Sequence, residues 1–515
     1  MVADKQLMKK IVQNLMENNV CNYCILRFLN EKNSDKYRNV DYHINEILDG
    51  AEYSPDIKKK KLNPCSACLG LLQMSESSEY MDIVVNNVRN AGHDCEDVTF
   101  ALSLPITLLL RNRSIWLHLT DKYLEFFMDR YYSHEVKQEY LMVSLKEVWK
   151  WLWAEKIAAK LNKTANNGVD GNYHVNINVE YEEDDNETAC LFKMFPKEFE
   201  YRSNHKRKFH GELLTRKKVE SMMSNADIEL FHDNYPVPPE VPKHFVKFSS
   251  VECVHDSIFI AGRYNKISRN LSQTPWMING ERRMETSVEE IIETPISKAI
   301  LNSGIKFASS GREDVDVRTL GKGRPFVVDI SNPRRTKLDR KAIKEIENQI
   351  NSSSEDVFVR DLQVVQKEDL IHIKTGEESK TKTYTCFCLI KVKHESEKEE
   401  LKTKLLELGN IKDLVIQQKT PIRVLHRRPL AIRPRTIYWM EAKFHEVRDG
   451  NFFFKLSLKV GAGTYIKEFV HGDFGRTTPS LTEILGKETD ILALDVEEVA
   501  LMWPPSMSDC SDKEE

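Results

Sequence analysis

The stretch Gly311-Arg312-Glu313-Asp314-Val315-Asp316-Val317-Arg318, followed closely by Leu320-Gly321-Lys322-Gly323-Arg324-Pro325-Phe326, leads from a glycine turn into an apolar strand-like run. Glycine permits a tight turn, and Arg312 lies two residues from Asp314, a carboxylate that it can hold or steer. The later glycines and cations can bring backbone and positive charge close to phosphates. Taken alone, the run is better interpreted as a structural salt bridge in a loop, so its meaning depends on the rest of the chain.

The segment around this run alternates strand and helix patterns. Candidate strands lie at Phe326–Ile330, Tyr384–Val392 and Phe452–Val460, and helical patterns lie at Arg340–Ile350 and Glu397–Leu408. This mixture predicts an α+β catalytic domain with a mixed central sheet. We place the domain at 245–505 and expect the acidic tail, 506–515, to be frayed.

The segment 96–242 has a different pattern and predicts an α/β accessory domain. Apolar strand-like runs occupy Val98–Leu110 and Tyr173–Tyr181, and an amphipathic helical stretch occupies Ser144–Leu161. The proline-rich stretch Tyr235–Pro242 predicts the linker to the catalytic domain, because prolines cannot supply ladder donors and favour extended backbone. Residues 1–95 form a third predicted unit, which begins with a helix at 5–17.

Composition places the chain among multidomain soluble proteins. It has 515 residues, 41% hydrophobic and 30% charged, which suits about two to four domains and argues against general disorder. The longest apolar stretch, near 99–110, is too short and too interrupted to span a bilayer, so no membrane partner is expected. The N-terminus lacks the apolar region of a secretory signal, which predicts an intracellular protein.

Two Cys-x-x-Cys pairs predict a metal site in the first 95 residues. Cys21-Asn22-Tyr23-Cys24 and Cys65-Ser66-Ala67-Cys68 are separated by 40 residues. Four thiolates suit a tetrahedral zinc ion, and with every position taken by protein the Zn²⁺ is expected to be structural.

A zinc nucleobase deaminase is a competing interpretation of the second pair. The Pro-Cys-x-x-Cys pattern at Pro64–Cys68 matches half of the deaminase motif. The other half requires His-x-Glu, whereas the nearest upstream candidate, His43-Ile44-Asn45-Glu46, is one residue too long. A deaminase would also leave the first Cys-x-x-Cys pair unexplained.

The clustered basic residues are a better guide to the binding partner than the net charge of −4. The segment Gln417–Met440 has no carboxylate, and its cations are Lys419, Arg423, Arg427, Arg428, Arg433 and Arg435, with His426. Such a segment predicts an RNA-binding surface, although a solvated charged face is the simpler alternative. The run Gly461–Lys467 lacks the third glycine of a dinucleotide loop, so no nucleotide or other organic cofactor is expected.

Five segments together resemble the archaeal and eukaryotic tRNA pseudouridine synthase Pus-ten family. They are Arg263–Asn270, Gln273–Trp276, Gly311–Phe326, Gln418–Pro429 and Gly463–Thr477. The resemblance covers most of 250–505. The cysteine pairs fit the same family, whose accessory domain contains a THUMP-like RNA-binding element, and residues 70–245 carry that likeness loosely.

The resemblance implies that Asp314 is the nucleophile that isomerises uridine to pseudouridine. It implies that Tyr384 stacks on the target base, that Lys467 is the basic partner of the aspartate, and that Ile466 and Leu494 line the pocket. Arg312, Arg427 and Arg428 are expected to bind substrate. The implied substrate is tRNA, at one or both adjacent uridines at the start of the TΨC loop, with other structured RNAs as further candidates.

Two points stay open at this level. An RNA-binding adaptor, acting in RNA processing independently of catalysis, is the alternative to an enzyme. The basic runs Lys58–Lys61 and Lys206–Lys208 suit either nuclear import signals or RNA-binding surface, and the protein is expected in nucleus and cytoplasm.

Overall fold

The computed structural model describes residues 2–49, 63–131, 142–166, 171–205, 214–224 and 226–507. The chain divides into two compact units, Met1–His255 and Asp256–Glu515. The predicted basic runs at 58–61 and 206–208 lie outside the described residues, as does most of the acidic tail. No helix within the described ranges has the length and apolar character needed to cross a membrane.

The first unit consists mainly of helices packed on a small sheet. Its helices are α1 (Val2–Glu17), α2 (Asn22–Phe28), α3 (Ser34–Arg38), α4 (Val40–Ile47), α5 (Ser78–Ala91), α6 (Thr107–Lys122), α7 (Leu124–Tyr131), α8 (Leu145–Leu161), α9 (Asp184–Thr188), α10 (Cys190–Met194), α11 (Pro196–Asn204), α12 (Arg216–Met223) and α13 (Ile228–Asn234). Its strands are β1 (Asp97–Ser103), β2 (Thr164–Ala165), β3 (Tyr173–Glu180) and β4 (Lys247–His255).

The sheet of the first unit has the order β2-β1-β3-β4, with β1 parallel to both neighbours and β4 antiparallel to β3. The predicted helices near 5–17 and 144–161 are confirmed as α1 and α8, and the Ser144 side chain accepts a hydrogen bond from the Lys146 amide at the start of α8. Trp149 and Trp153 of α8 stack in the core, which gives this amphipathic helix its buried face.

The predicted strand-like run Val98–Leu110 is correct for its first half only. Strand β1 ends at Ser103, and α6 begins at Thr107. Pro105 lies between them, where its missing amide hydrogen interrupts a ladder but is tolerated just before a helix. Continuous apolar sequence therefore spans a strand and a helix, a distinction that periodicity alone cannot make.

The stretch 235–242 does not separate the two units. Tyr235 is buried, and the carbonyls of Pro236 and Glu240 accept hydrogen bonds from Ser114 and Arg111 of α6. The chain then continues into β4, which pairs with β3 along its whole length, so β4 belongs to the first unit. A proline-rich segment lacks amide donors but keeps its carbonyl acceptors, and here those acceptors attach it to a helix.

The second unit is built on a large sheet with short helices. Its strands are β5 (Ile258–Lys266), β6 (Met277–Ile278), β7 (Glu281–Arg282), β8 (Gly304–Ser309), β9 (Val317–Ser331), β10 (Val357–Val365), β11 (Lys382–Lys391), β12 (Lys412–Lys419), β13 (Ile432–Arg448), β14 (Asn451–Val460), β15 (Thr477–Thr478) and β16 (Thr489–Val499). Its helices are α14 (Val288–Ile300), α15 (Arg340–Ser353), α16 (Ile371–Ser379), α17 (Glu395–Glu407), α18 (Ile466–His471) and α19 (Leu481–Leu485).

The large sheet runs in the order β10-β5-β9-β16-β11-β14-β13-β12-β15, with β8 paired to β9. It is mixed, because β16 is parallel to β9 while the other pairs are antiparallel. Alternate residues of β9 enter two cores, with Val327 in one and Phe326 and Val328 in the other, as the two-residue period of a strand requires. The predicted α+β class and mixed sheet are confirmed.

The predicted elements of this unit match the structure closely. The expected strands at 326–330, 384–392 and 452–460 fall in β9, β11 and β14, and the expected helices at 340–350 and 397–408 fall in α15 and α17. The parallel pair β9 and β16 aligns Val317 with Leu494, which fixes the loop just before β9 beside β16.

A substitution at Gly321 tests how closely the backbones of β9 and β16 approach each other. The Gly321 φ of +57° is left-handed, and an added Cβ would lie 2.0 Å from the Glu497 carbonyl oxygen of β16. Gly321→Ala is expected to destabilise the protein by about 2–4 kcal/mol, from left-handed strain and steric overlap with backbone. Gly409→Ala is the matched control, because Gly409 has open space around its Cβ position. Urea denaturation followed by circular dichroism measures both variants, and equal midpoints would contradict the close approach.

Candidate active site and candidate metal centre

A cavity of about 1240 Å³ lies in the second unit, between the loop 311–316, β11, β16, the segment 423–428 and the start of α18. Residues from five separate segments meet there. The cavity is lined by all eight site residues predicted in this half of the chain, namely Arg312, Asp314, Tyr384, Arg427, Arg428, Ile466, Lys467 and Leu494. Their roles in a reaction stay predictions, but the predicted set shares one surface.

A buried lysine fixes the backbone of the loop that carries Asp314. Lys266, at the end of β5, donates from Nζ to the carbonyl oxygens of Leu271 at 2.7 Å, Asp314 at 3.2 Å and Val315 at 2.7 Å. Burial lowers the pKa of Lys266 to about 8. Because three carbonyl dipoles replace the water that the ammonium loses, the lysine can hold two consecutive loop carbonyls in place.

The neighbouring carboxylate, Glu313, points into the protein. Its side chain is fully buried and lies 2.9 Å from the Nε of Arg324, which is 2% exposed. Tyr264 donates to both Glu313 oxygens at 2.9 Å, and Gln273 donates to the Gly311 carbonyl at 3.0 Å. Glu313 and Asp314 therefore have different roles, since the first anchors the loop and the second faces the cavity.

The Asp314 carboxylate is 37% exposed and is held by two cations from other segments. Arg423 Nη1 lies 2.9 Å from Oδ2 and 3.2 Å from Oδ1, and Lys467 Nζ lies 3.5 Å from Oδ2. Lys467 makes closer contacts with Asp316, at 2.8 Å from both oxygens. Burial opposes ionisation of Asp316, but the hydrogen bond and charge of Lys467, together with a backbone hydrogen bond and the charge of Lys266, outweigh it and lower the pKa of Asp316.

Sequence reasoning paired Asp314 with Lys467 and did not single out Arg423. The structure brings Lys467 to Asp314 but shares it with Asp316, and it adds Arg423 as the nearer cation. Arg423 belongs to the basic segment that the sequence assigned to RNA as a whole. Arg423 lies four residues before Arg427, on a short 3-10 turn at Ile422–Val424. Nothing in the sequence of this turn indicates that the Arg423 side chain contacts Asp314.

One wall of the cavity is apolar. Tyr384 lies on β11 between Leu458 of β14 and Val496 of β16, is half-buried, and has its pKa raised by burial. Ile466 and Leu494 are 4% and 7% exposed and belong to the same core that Tyr384 contacts. The two interpretations of these residues, core and pocket wall, are therefore compatible, because they lie where the core meets the cavity.

Part of the cavity rim is basic. Arg427 and Arg428 are exposed, and in the part of the chain that the structure describes no ion pair holds either guanidinium. His426 and Arg435 line the same rim, and Arg435 donates to the Gly463 carbonyl at 3.1 Å. Arg312 is likewise exposed at the cavity. The cavity thus combines an apolar wall, a carboxylate and several cations, which suits a nucleotide with a planar base and an anionic backbone.

The four predicted cysteine ligands of the first unit form one cluster. The Sγ atoms of Cys21, Cys24, Cys65 and Cys68 lie within 4.8 Å of one another, and those of Cys21 and Cys68 are 3.9 Å apart. A tetrahedral zinc ion with Zn–S bonds of about 2.3 Å places its sulfurs about 3.8 Å apart, which this cluster matches. The Cys65 sulfur also accepts hydrogen bonds from the amides of Cys21 and Ala67. The four cysteines can hold a metal ion of this kind.

Arginine and asparagine side chains connect the two halves of the cysteine cluster. Arg27 is buried and donates to Cys24 Sγ at 3.4 Å, to the Val143 carbonyl at 2.9 Å and to Asn112 Oδ1 at 3.0 Å. Asn112 of α6 in turn donates to the carbonyl of Ala67, inside the second pair, at 3.0 Å. One helix outside the predicted module 1–95 therefore holds the second pair and reaches the first through Arg27.

The cysteine cluster also shares its core with the predicted accessory domain. Cys24, Cys65 and Cys68 belong to one hydrophobic cluster with Phe100 of β1 and Trp149 of α8. The predicted boundary between 95 and 96 is not a boundary in the packing. Sequence pattern missed this continuity, because the contacts join residues that are far apart in the chain.

Two family models match the chain. The model described as "Pus10, C-terminal" matches residues 259–500, and "Eukaryotic Pus10, N-terminal" matches residues 65–253. Each match falls within one of the two compact units. A solved chain from a Cbf5-Nop10-Gar1 complex aligns with 46% of this chain and 57% of its own length, at 15% identity and a TM-score of 0.23, which is too low to support an argument.

Curated relatives extend over nearly the whole chain. A tRNA pseudouridine synthase Pus10 from Homo sapiens is 39% identical over 88% of this chain and 81% of its own. Its counterpart from Xenopus laevis is 36% identical over 99% and 100%, and that from Pyrococcus furiosus is 36% identical over 61% and 76%. These matches cover both units, so the chain belongs to the Pus10 family and is a tRNA pseudouridine synthase.

Proposed function

We propose that this chain converts uridine to pseudouridine in the TΨC loop of tRNA, at one or both of the adjacent uridines at its start, with Asp314 as the nucleophile. The observation that supports this most is the position of the Asp314 carboxylate. It faces the cavity between two cations while the adjacent Glu313 is buried in the fold.

The reaction requires a uridine to leave the RNA fold and enter the cavity. The bond between N1 of the base and C1′ of the ribose breaks, the base turns, and a bond forms between C5 and C1′. The proton on C5 leaves and N1 gains a proton, so atoms and electrons balance without a cofactor. A carboxylate nucleophile can carry the sugar or base during the turn, and Asp314 is the cavity carboxylate best placed to do so.

The apolar wall and the cations supply binding and orientation. Tyr384 is proposed to stack on the target base, with Ile466 and Leu494 completing the flat surface beneath it. Lys467 is proposed to favour the ionised form of Asp314 through its charge. Arg312, Arg427 and Arg428 are proposed to contact phosphates at the cavity mouth.

The first unit is proposed to bind RNA through a THUMP-like element and to contain a structural zinc ion. Four thiolates complete a tetrahedral shell and leave no position for substrate, so the ion would stabilise the fold without entering the reaction. Residence in nucleus and cytoplasm stays a prediction.

Replacing Asp314 tests the nucleophile. Asp314→Asn is expected to lower pseudouridine formation on an unmodified tRNA transcript by about 1000-fold or more, because the amide keeps the shape but not the nucleophilic charge. RNA affinity, measured by filter binding, should stay within about threefold, since the carboxylate is not a phosphate contact. Asp316→Asn is the comparison variant and should keep measurable turnover. Full activity in Asp314→Asn would exclude it as nucleophile, and full RNA binding with no activity in the wild type would favour an RNA-binding adaptor.

Replacing the basic rim tests the phosphate contacts. The double variant Arg427→Gln/Arg428→Gln is expected to bind tRNA more weakly, with a log–log salt slope shallower by about 1.4 to 1.8. The control is Lys298→Gln/Lys306→Gln, which removes two exposed cations that do not line the cavity. Binding isotherms at several salt concentrations measure both slopes. Equal slopes for the two double variants would contradict phosphate contacts at Arg427 and Arg428.

Replacing one cysteine tests the metal centre. Cys68→Ser is expected to lose the zinc ion, to lower the thermal stability of the first unit, and to make that unit more sensitive to limited proteolysis. Cys253→Ser is the matched control, since Cys253 lies in the same unit on β4 and outside the cluster. Metal content by mass spectrometry should be about one zinc per wild-type and control chain. Equal zinc content in Cys68→Ser would show that the cluster is not the metal site.

A further inference from the structure

Arg423 connects the predicted nucleophile to a buried carboxylate that the reaction does not otherwise use. Its Nη1 contacts Asp314 at 2.9 Å, and its Nε donates to Glu468 Oε1 at 2.7 Å. The guanidinium also lies over the Tyr465 ring, with its Cζ 5.8 Å from the ring centroid. The side chains of Asp314, Glu468 and Tyr465 thus hold the planar guanidinium of Arg423, whose rigid arrangement of donors suits several partners at once.

Glu468 acts as the fixed end of this arrangement. Its side chain is 3% exposed, and its Oε2 has no hydrogen-bond partner among the described residues. A buried carboxylate is costly unless a cation neutralises it, and among the described residues Arg423 is the cation in contact with Glu468. The Nε of Arg423 is therefore held firmly, whereas the half-exposed outer part of the guanidinium faces the cavity.

The backbone under Arg423 is held as well. Asp473 accepts a hydrogen bond from the Ile422 amide at 3.3 Å, and Arg476 donates to the Thr420 carbonyl at 2.6 Å. Val424 is buried on the other side of Arg423. A side chain that starts from a fixed turn and ends on a fixed carboxylate can position its partner Asp314 with little freedom.

The guanidinium keeps donors for a further ligand. Nε donates to Glu468 and Nη1 donates to Asp314, whereas Nη2 makes no hydrogen bond within the described residues. Three further arginines of the same cavity rim, Arg427, Arg428 and Arg435, make this part of the cavity positive. An oxygen of a phosphodiester can therefore approach Nη2 without displacing Asp314.

We propose that Arg423 is a positioning residue that is held by Glu468, orients the Asp314 carboxylate, and binds through Nη2 the phosphate beside the flipped uridine. Correct docking of the RNA backbone is thereby coupled to the orientation of the nucleophile. The inference rests on the proposed role of Asp314. Lys467 cannot take this place, because its single nitrogen is closer to Asp316 than to Asp314.

Single variants at Glu468 and Arg423, assayed as full-length protein on an unmodified tRNA transcript, measure the rate and the affinity separately. Glu468→Gln should lower the single-turnover rate at saturating RNA by about 10-fold and leave the Kd within about twofold, because the anchor is loosened while Nη2 remains. Arg423→Gln should lower the rate by about 100-fold and raise the Kd about fivefold. Arg423→Lys should restore affinity more than rate, since one ammonium cannot serve two carboxylates and a phosphate.

The double variant Arg423→Gln/Glu468→Gln provides the decisive comparison. Arg423→Gln alone leaves Glu468 buried and unpaired, so it should also lower the thermal midpoint. Removing both charges should restore the midpoint, whereas the rate should remain as low as in Arg423→Gln. Recovery of the wild-type rate in the double variant would overturn the proposal, because Arg423 would then only neutralise Glu468.

Arg435→Gln distinguishes orientation from general positive charge. Arg435 lines the same rim but contacts the Gly463 carbonyl instead of a carboxylate, so its loss should raise the Kd by a larger factor than it lowers the saturated single-turnover rate. An equal fall in rate for Arg435→Gln and Arg423→Gln would overturn the proposal. If Asp314→Asn is inactive and Arg423→Gln turns over at the wild-type rate, this inference fails and the proposed function stands. Full activity in Asp314→Asn removes the proposed nucleophile, and the role of Arg423 falls with it.

Discussion

Glu313, within the loop 311–316, forms an ion pair with Arg324 that is almost completely shielded from solvent. Breaking such a pair by moving one partner costs about 3–5 kcal/mol, because the other charge is left buried. Tyr264 and Gln273 add hydrogen bonds to the same carboxylate and to the Gly311 carbonyl. These contacts hold the Glu313 side chain in the interior, and the adjacent Asp314 faces the cavity. The contacts of Asp314 with Arg423 and Lys467 depend on this constraint, since these two cations come from other segments of the chain.

Local pattern was enough to predict much of the fold of the second unit. The strands near 384–392 and 452–460 and the helix near 340–350 each have a complete periodic signal within their own sequence, and each was found. The run 98–110 contained a strand and a helix with similar apolar composition, so only its first half was predicted correctly. The end of the first unit was placed too early, because the pairing of β4 with β3 joins residues about 70 positions apart.

The candidate active site likewise depends on contacts between residues that are far apart in the chain. Asp314, Tyr384 and Lys467 could be named because they lie in motifs that resemble a family. Whether Glu313 or Asp314 faces the cavity depends on Arg324 and Tyr264, which the sequence does not connect to the loop. Arg423 escaped notice for a related reason, since 109 positions separate it from Asp314 and it lies among other cations of similar appearance. In the first unit, Arg27 and Asn112 likewise reach the cysteine cluster from positions with no motif of their own.

Arginine fixes several short functional segments in this protein, and its chemistry explains why. Arg27 reaches a sulfur, a carbonyl and an amide oxygen at once, and Arg423 reaches two carboxylates at once. Five N–H donors in one rigid plane make such junctions possible, whereas an ammonium is a compact charge on a flexible stem. Lys467 illustrates the difference, because it lies near two aspartates but is 2.8 Å from one and 3.5 Å from the other. A carboxylate that must keep a single orientation is therefore better held by Arg423, and Lys467 is better suited to adjusting the charge around it.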